Sequence, residues 1–468
     1  MRNTVRVVFC IGLLMIPFMV LAETYKWIDD KGGVHFTDDY STIPEKYRQI
    51  NEKATLQEDS SSKQPEGRIN KIESKFEIKK LINRSTVLMD MGRVDEAIAL
   101  LLRVIKSDPN NGAAYGNLGA AYYQKGQLDK ATEALKKAVE LDPKDKVARQ
   151  NLGNAYTDAK KYDEAIAEHK KRIQLEPNNA DAFVDLGVAY FEKGNYAGAM
   201  SSLKKAISIN PNHPLARMNL GRNYRDSKKW PEAIDELLYA RDLGMYPEVY
   251  EDVENNLRMT FKKCFSDLEK WARDEPNKPL SHYYFAYALM YNNKDWSKAM
   301  KEIDKAIELD KTSGRFRKAK AVLYLSQGKS KETIAACKDC IRVDPSNWGC
   351  YNLLCEEYMS TQNVKEALGV ALKAVGMNPN ALSTQFNLGS AYALNGENEK
   401  ALEAFKKALS LSLLLHKEHR GIHFNLAATY FNLGNYEMAW QHVRIAQRMG
   451  EEANDLIQEL KKVSKEPD

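Results

Sequence analysis

The strongest constraint on the fold is a pattern that repeats every 34 residues. Five columns of residues keep this spacing through the first half of the chain. They are the prolines Pro109, Pro143, Pro177 and Pro211, and the leucine, glycine, tyrosine and alanine columns that begin at Leu118, Gly119, Tyr122 and Ala131. The spacing returns late in the chain, as between Leu354 and Leu388. This period is typical of stacked helix hairpins, because one hairpin can bury its apolar face only against its neighbours.

Each column has a physical role in such a hairpin. Gly126, Gly194 and Gly396 are predicted to end the first helix of their units, since glycine adopts positive φ without steric cost. The proline that follows the second helix disfavours further helix and closes the unit. Small residues are expected where the two helices of a hairpin approach closely. These structural positions are Gly119, Ala131, Gly153, Ala165, Gly187, Ala199, Gly221, Ala233, Gly389 and Ala401.

The combined pattern closely resembles the tetratricopeptide repeat. It is carried in one unit by Tyr115, Leu118, Gly119, Tyr122, Gly126, Ala131, Ala138 and Pro143. The resemblance implies an all-α, right-handed superhelical solenoid of about 11 helix hairpins over residues 78–463. Two stretches depart from the pattern. We expect a degenerate unit at about 246–278 and a stretched 38-residue unit at about 382–419, which either bends the array or lengthens a helix.

The N-terminus has the layout of a secretory signal peptide. Arg2 and Arg6 precede an apolar run of 16 residues that ends at Ala22. A membrane-spanning helix needs about 20 apolar residues, so removal is favoured over anchoring. We therefore predict a signal peptide at 1–22, cleaved after Ala22, and a periplasmic or secreted protein with no membrane span. A retained inner-membrane anchor is the alternative.

Two short segments separate the leader from the repeats. In residues 23–48, aromatic and β-branched residues flank an Asp and Gly cluster, which predicts a small β-hairpin. Residues 49–77 are rich in Ser, Glu, Lys and Gln and are predicted to be a polar linker. The hairpin resembles an uncharacterised module at the mature start of many exported Gram-negative proteins. The matching residues are Tyr25, Trp27, Asp29, Gly33, His35, Phe36 and Asp38.

Charge and motifs exclude several classes of function. The 69 basic residues nearly balance the 64 acidic ones, which argues against a nucleic-acid partner. No nucleophile elbow, zinc-protease helix or dinucleotide fingerprint occurs, and the repeats leave no room for a separate catalytic domain. We therefore predict a non-catalytic protein without cofactor or metal, whose partners are other proteins of the envelope or periplasm.

The resemblance implies that the first helices line a concave groove for an extended peptide or a partner helix. A polar column lies one residue before the repeat leucine. Its members are Asn117, Asn151, Asp185, Asn219, Asn387 and Asn425. Asparagine amides both donate and accept, so this column either binds the backbone of a partner or anchors the helices to one another. Arg222 and Arg225 form either a basic patch in the groove or two solvated side chains.

Four cysteines cluster in one part of the array. Cys337 and Cys340 are predicted on a second helix, and Cys350 and Cys355 on the first helix of the next unit. A disulfide across this junction and packed free thiols are both compatible with an oxidising compartment. A metal site is disfavoured, because Cys340 and Cys355 occupy columns of small residues.

The sequence thus predicts a periplasmic interaction scaffold that binds a partner in the repeat groove. The alternative is a cell-wall or polysaccharide-handling assembly factor in which the N-terminal hairpin binds glycan.

Overall fold

The structure is a computed structural model of the 468-residue chain. It describes residues 25–28, 34–37, 75–90, 92–243, 247–292, 295–413 and 420–465. The predicted signal peptide, the turn of the predicted β-hairpin and nearly all of the predicted linker lie outside these ranges.

The chain divides into two compact units. In the smaller unit, Phe18–Asn111, strand β1 (Tyr25–Ile28) pairs antiparallel with strand β2 (Val34–Thr37), with Tyr25 opposite Thr37. Helices α1 (Lys75–Asp90) and α2 (Val94–Ser107) follow and form a helix pair.

The larger unit holds residues Gly112–Asp468 and is entirely helical in its described part. In chain order its helices are α3 (Gly112–Gln124), α4 (Leu128–Leu141), α5 (Lys146–Asp158), α6 (Tyr162–Leu175), α7 (Ala180–Glu192), α8 (Tyr196–Ile209), α9 (Pro214–Asp226), α10 (Trp230–Asp242), α11 (Pro247–Asp274), α12 (Pro279–Asn292), α13 (Trp296–Leu309), α14 (Gly314–Leu325), α15 (Ser330–Val343), α16 (Trp348–Ser360), α17 (Val364–Met377), α18 (Leu382–Leu394), α19 (Asn398–Leu413), α20 (Arg420–Asn432), α21 (Tyr436–Arg448) and α22 (Asn454–Val463). None of the described helices is both long enough and apolar enough to cross a membrane.

The small-residue columns lie where the two helices of a pair approach each other closely. A Cβ atom added at Gly119 would lie 2.3 Å from Cγ of Leu135, and one added at Gly221 would lie 2.7 Å from Cγ of Leu237. The partner alanines are fully buried. They are Ala131, Ala165, Ala199, Ala233 and Ala401. Glycine and alanine at these positions therefore set the close approach of the two helices in each pair.

Glycine also ends the first helices, as predicted. Gly126, Gly194 and Gly396 have φ of +70°, +81° and +80°. Three units carry other residues at the same place, and these adopt positive φ as well. They are Lys160, Lys228 and Gln362, with φ of 59°, 56° and 61°. The turn geometry is therefore imposed by the repeat and not by the residue that occupies it.

Replacing Lys160, Lys228 and Gln362 by glycine should stabilise the array. The left-handed conformation costs a non-glycine residue about 1 kcal/mol, and the greater flexibility of unfolded glycine removes about 0.5 kcal/mol of that gain. We expect the triple variant to raise the free energy of unfolding by about 1.5 kcal/mol in urea titrations. Gly126→Ala is the matched control and should lower it; a triple variant no more stable than the wild type would contradict the prediction.

The expected degenerate unit is corrected by the structure. Residues 247–274 form a single helix, α11, of 28 residues in place of a helix hairpin. Its buried residues Val253, Leu257, Phe261, Cys264 and Leu268 form one continuous stripe with helical spacing, uninterrupted by glycine or proline. The 22 described helices therefore make ten pairs, together with the unpaired α11 and α22.

The unpaired helix changes how its neighbours are packed. Because α12 lies between α11 and α13, every residue from Ser281 to Met290 is buried. Its aromatic side chains, including Tyr283, Tyr284 and Tyr287, belong to the same core cluster as α10, α11 and α14. A helix that is buried all round needs such an apolar sequence on every face.

The stretched unit lengthens a second helix. Helix α19 has 16 residues, whereas the equivalent α17 has 14. The remaining residues of the stretch, 414–419, lie outside the described ranges.

Candidate binding surfaces of the repeat array

The polar column of the first helices is partly exposed in the N-terminal half of the larger unit. Asn117, Asn151, Asp185 and Asn219 are all half-buried and lie on α3, α5, α7 and α9. Side chains of adjacent first helices reach one another across this surface, as Gln150 Nε2 donates to Asp185 Oδ2 at 3.2 Å. The repeat therefore brings the four predicted residues onto neighbouring helices, with part of each side chain accessible.

Two members of this column are engaged by arginines. Arg172 Nη1 donates to Asp185 Oδ2 at 2.6 Å. Arg222 Nη1 donates to Asn219 Oδ1 at 3.1 Å, and its guanidinium lies 5.0 Å from the ring centroid of Phe191. Arg222 thus keeps a half-buried cation beside the asparagine on the first-helix surface.

Arg225 does not share this surface. It is buried between helices, where its Nη1 donates to Asn256 Oδ1 of α11 at 2.6 Å and its Nε donates to Asp226 at 2.9 Å. The structure therefore places Arg225 in the packing of α9 against α11, and Arg222 is the member of the predicted pair that stays on the first-helix surface.

The two late members of the column, unlike the four early ones, are buried. Asn387 donates to Asn352 Oδ1 at 2.8 Å and to Glu356 Oε1 at 3.0 Å. Asn425 donates to the carbonyl of Gly421 at 2.7 Å. Their amides bind neighbouring groups of the array, which favours the anchoring role for this half of the column.

Helix α10 contacts three first helices that follow later in the chain, α14, α16 and α18. Two hydrogen bonds are formed at the C-terminus of α10. The Ser383 hydroxyl donates to the carbonyl of Asp242 at 3.0 Å, and the Ser383 amide donates to the carbonyl of Leu243 at 3.2 Å. Two ion pairs join α10 to α14, between Asp235 and Arg315 and between Asp242 and Lys318. The array thus packs one of its own helices against the N-terminal ends of first helices that come later in the chain.

A cavity of about 420 Å³ remains beside α10. Its walls are α10, α12, the N-terminal turns of α14 and α16, and the loop before α16. Burial raises the pKa of Asp235, although Arg315 and Tyr284 oppose the rise. Burial also raises the pKa values of Tyr283 and Tyr287, so these phenols stay protonated in the cavity wall.

Neither the contacts of α10 with later helices nor the cavity could be predicted from the sequence. Both depend on contacts between residues 76 to 141 positions apart, such as those of Lys318 and Ser383 with α10. The available signal is indirect: the loss of the repeat pattern at 246–278 marks the place where the path of the helices changes.

Models of the tetratricopeptide repeat match much of the N-terminal half of the array and one late unit. The matches described as "Tetratricopeptide repeat" or "TPR repeat" cover residues 82–146, 126–168, 153–194, 187–224 and 383–412. These residues therefore contain tetratricopeptide repeats. A further model, a domain of unknown function (DUF4124), matches residues 11–67. None of these models describes a catalytic domain.

Two curated proteins are similar to part of the array. Stress-induced-phosphoprotein 1 of Caenorhabditis elegans is 28% identical over 152 residues, which is 32% of this chain and 46% of that protein. The TPR repeat-containing protein YvcD of Bacillus subtilis (strain 168) is 26% identical over 136 residues, or 29% of this chain and 27% of that protein. The chain thus spans less than half the length of either relative.

Solved structures of repeat proteins are also similar. The crystal structure of MamA is 31% identical and covers 33% of this chain and 91% of MamA, with a TM-score of 0.32. The crystal structure of yeast Tom70 is 14% identical and covers 84% of this chain and 96% of Tom70, with a TM-score of 0.36.

The cysteine cluster lies in the same part of the helical array as the cavity. A disulfide joins Cys340 of α15 to Cys350 of α16, across the junction between two repeats. Cys337 and Cys355 are buried free thiols, and burial raises the pKa of Cys337 to about 12. These two side chains therefore pack as small apolar groups and not as reactive thiolates.

Proposed function

We propose that the protein is an exported interaction scaffold that binds an extended segment of a partner protein on α3, α5, α7 and α9. Tetratricopeptide repeats imply protein–protein interaction. The observation that carries the more specific proposal is the contrast between the two halves of the polar column. Its four early members are partly exposed, whereas the late members Asn387 and Asn425 are buried and bonded within the array.

The spacing of the column suits a chain in extended conformation. Packed helices lie about 9 Å apart, whereas an extended chain advances about 3.4 Å per residue. One asparagine therefore meets about every third residue of the bound segment. An amide can donate to a backbone carbonyl or accept from a backbone N–H, so this contact requires no particular partner sequence.

Charge adds some selectivity to this surface. Arg222 is half-buried beside Asn219, and its guanidinium lies 3.8 Å from the carboxylate of Glu192. Asp185, by contrast, is already paired with Arg172. A partner segment with an acidic residue opposite α9 would gain a charge-assisted hydrogen bond there.

The apolar leader and the disulfide support export. Disulfides persist in the periplasm and outside the cell, and are rare in a reducing cytosol. The bond between Cys340 and Cys350 would therefore be maintained in the compartment to which residues 1–22 are predicted to direct the chain.

The test is affinity capture from the native envelope with the full-length chain and quantitative mass spectrometry. Changing Asn117, Asn151 and Asn219 together to Ala should weaken binding of the specific partners roughly 100-fold, because each amide contributes a hydrogen bond of about 1 kcal/mol. The same spectra locate the N-terminus of the captured scaffold, which begins at Glu23 if the leader is cleaved.

A matched control replaces three asparagines outside the column. Asn178, Asn395 and Asn432 are exposed, and their change to Ala should leave recovery intact. Both triple variants should keep the thermal unfolding midpoint of the wild type. Equal recovery by all three proteins would eliminate the asparagine column as the binding surface, and an intact Met1 would support the inner-membrane anchor.

A further inference from the structure

We propose that the cavity beside α10 is a binding site for a neutral sugar ring. This site is separate from the asparagine column and does not depend on it. The cavity lies between α10, α12, α14 and residues 344–349, which form the loop before α16 and the start of that helix.

The size of the cavity suits a small ligand. Its volume of about 420 Å³ falls within the range of roughly 300–1,000 Å³ that small-molecule sites occupy. Three of its walls are helices held in the largest buried cluster of the array, so the site is formed before a ligand arrives. A preformed cavity binds with little loss of protein flexibility.

The charges in the wall favour a ligand without net charge. Three cations, Arg241, Arg315 and Lys318, face three carboxylates. Arg315 pairs with Asp235 and Lys318 with Asp242, so the formal charges of the lining cancel. A charged ligand would have to displace one member of a partly buried pair and leave the other uncompensated, which costs several kcal/mol.

Hydroxyl groups fit this lining better than other neutral groups. Carboxylates only accept hydrogen bonds, and ammonium and guanidinium groups only donate them. A hydroxyl can donate to Asp235 or Asp242 and accept from Arg315 or Lys318 without breaking the pairs. A ring that carries several hydroxyls can therefore bond to both kinds of side chain at once.

Aromatic side chains provide the complementary apolar contact. Tyr239 of α10 and Trp348 of α16 meet edge to face, with ring centroids 6.2 Å apart. The guanidinium of Arg217 lies 3.9 Å from the centroid of the Tyr239 ring, which holds that ring in place. The face of an aromatic ring carries negative potential, and the C–H groups of a sugar ring carry the positive potential that complements it.

The disulfide fixes the remaining wall. Cys340 and Cys350 enclose the lining residues Asp344, Ser346, Asn347, Trp348 and Gly349. Within this loop, Asp344 accepts hydrogen bonds from Ser346 and Asn347. The bond therefore holds Trp348 and the polar groups of the loop in one arrangement opposite α10.

The test is ligand-observed saturation-transfer NMR with the full-length oxidised protein. The neutral probes are glucose, galactose, mannose and N-acetylglucosamine, and the charged comparators are glucosamine and glucuronic acid. We expect at least one neutral sugar to bind with a Kd of about 1 mM and more tightly than either comparator. Trp348→Ala should weaken that binding about tenfold.

Two further variants keep the test independent of folding defects. Ser346→Trp adds bulk at an exposed position of the wall and should also abolish binding. The double change Cys340→Ser and Cys350→Ser should weaken it. Tyr196→Ala removes an exposed ring on α8, outside the lining, and should leave affinity unchanged.

Three results would overturn the proposal. They are the absence of any neutral-sugar signal up to about 20 mM, tighter binding of a charged comparator, and full affinity in both Trp348→Ala and Ser346→Trp.

Discussion

Lys318→Asp should lower the free energy of unfolding of the chain by about 3 kcal/mol. The new carboxylate would face Asp242, whose side chain is only 20% exposed and is paired with Lys318 in the native protein. Adding Asp242→Lys should restore most of the loss, because the pair is then rebuilt with its charges exchanged. Urea titration of the wild type, both single variants and the double variant gives the coupling energy directly.

The position of α10 can be followed separately by hydrogen exchange. The Ser383 amide donates to the carbonyl of Leu243 at the end of α10, so its hydrogen exchange reports whether the helix is in place. Lys318→Asp should accelerate that exchange more than the exchange of α3 or α5. The exposed pair of Lys137 and Glu140 supplies the control, since Lys137→Glu should change stability by less than about 0.5 kcal/mol. Equal effects of Lys318→Asp and Lys137→Glu on stability and on the exchange of the Ser383 amide would show that the position of α10 does not depend on the ion pair of Lys318 with Asp242.

Contacts with the neighbouring first helix explain why Asn387 is buried whereas Asn151 is only half-buried. Asn151 and Asn387 occupy the same position of their repeats, yet Asn387 is 4% exposed and bonded to Asn352 and Glu356. Glu356 lies close enough to Asp242 of α10 for the two carboxylates to interact, and burial raises its pKa. The sequence position predicts the register of a side chain on its helix, but the neighbouring helix decides whether a partner can reach it.

The predictable part of the fold is the part encoded by contacts within one repeat. The close approach at Gly119 and the turn at Gly126 each depend on residues less than 20 positions away, and the columns of the sequence report them. The ion pair of Arg315 with Asp235 joins residues 80 positions apart. Nothing in a 34-residue pattern specifies that contact, because its two residues belong to different repeats.

One repeat carries an internal defect that the columns also reveal. His169 on α6 occupies the packing position filled by Leu135, Leu203 and Leu237 in neighbouring units. It is fully buried, and neither ring nitrogen has a hydrogen-bond partner within the described part of the chain. A buried polar group left unpaired costs about 1–3 kcal/mol.

His169→Leu should therefore raise the free energy of unfolding by about 2 kcal/mol at pH 7. Leucine fits the same space, because a Cβ added at Gly153 would approach His169 as closely as one added at Gly119 would approach Leu135. The matched control is His213→Leu. His213 is also buried, but its Nδ1 accepts from the Ala216 amide and its Nε2 lies 2.9 Å from Asp181, so its loss should destabilise the chain.

The gain from His169→Leu should grow as the pH falls. Burial, with a smaller contribution from Arg172, lowers the pKa of His169 from 6.5 to about 3. Between these two values the unfolded chain binds a proton at this position that the folded chain does not. Titration of His169 therefore leaves the free energy of unfolding of the wild type unchanged above pH 6.5 and lowers it by about 1.4 kcal/mol per pH unit below that pH. At pH 5 the variant should gain about 2 kcal/mol more over the wild type than at pH 7. Urea titrations of both proteins at the two pH values measure this difference, and a gain that does not change with pH would show that His169 is protonated or solvated in the folded array.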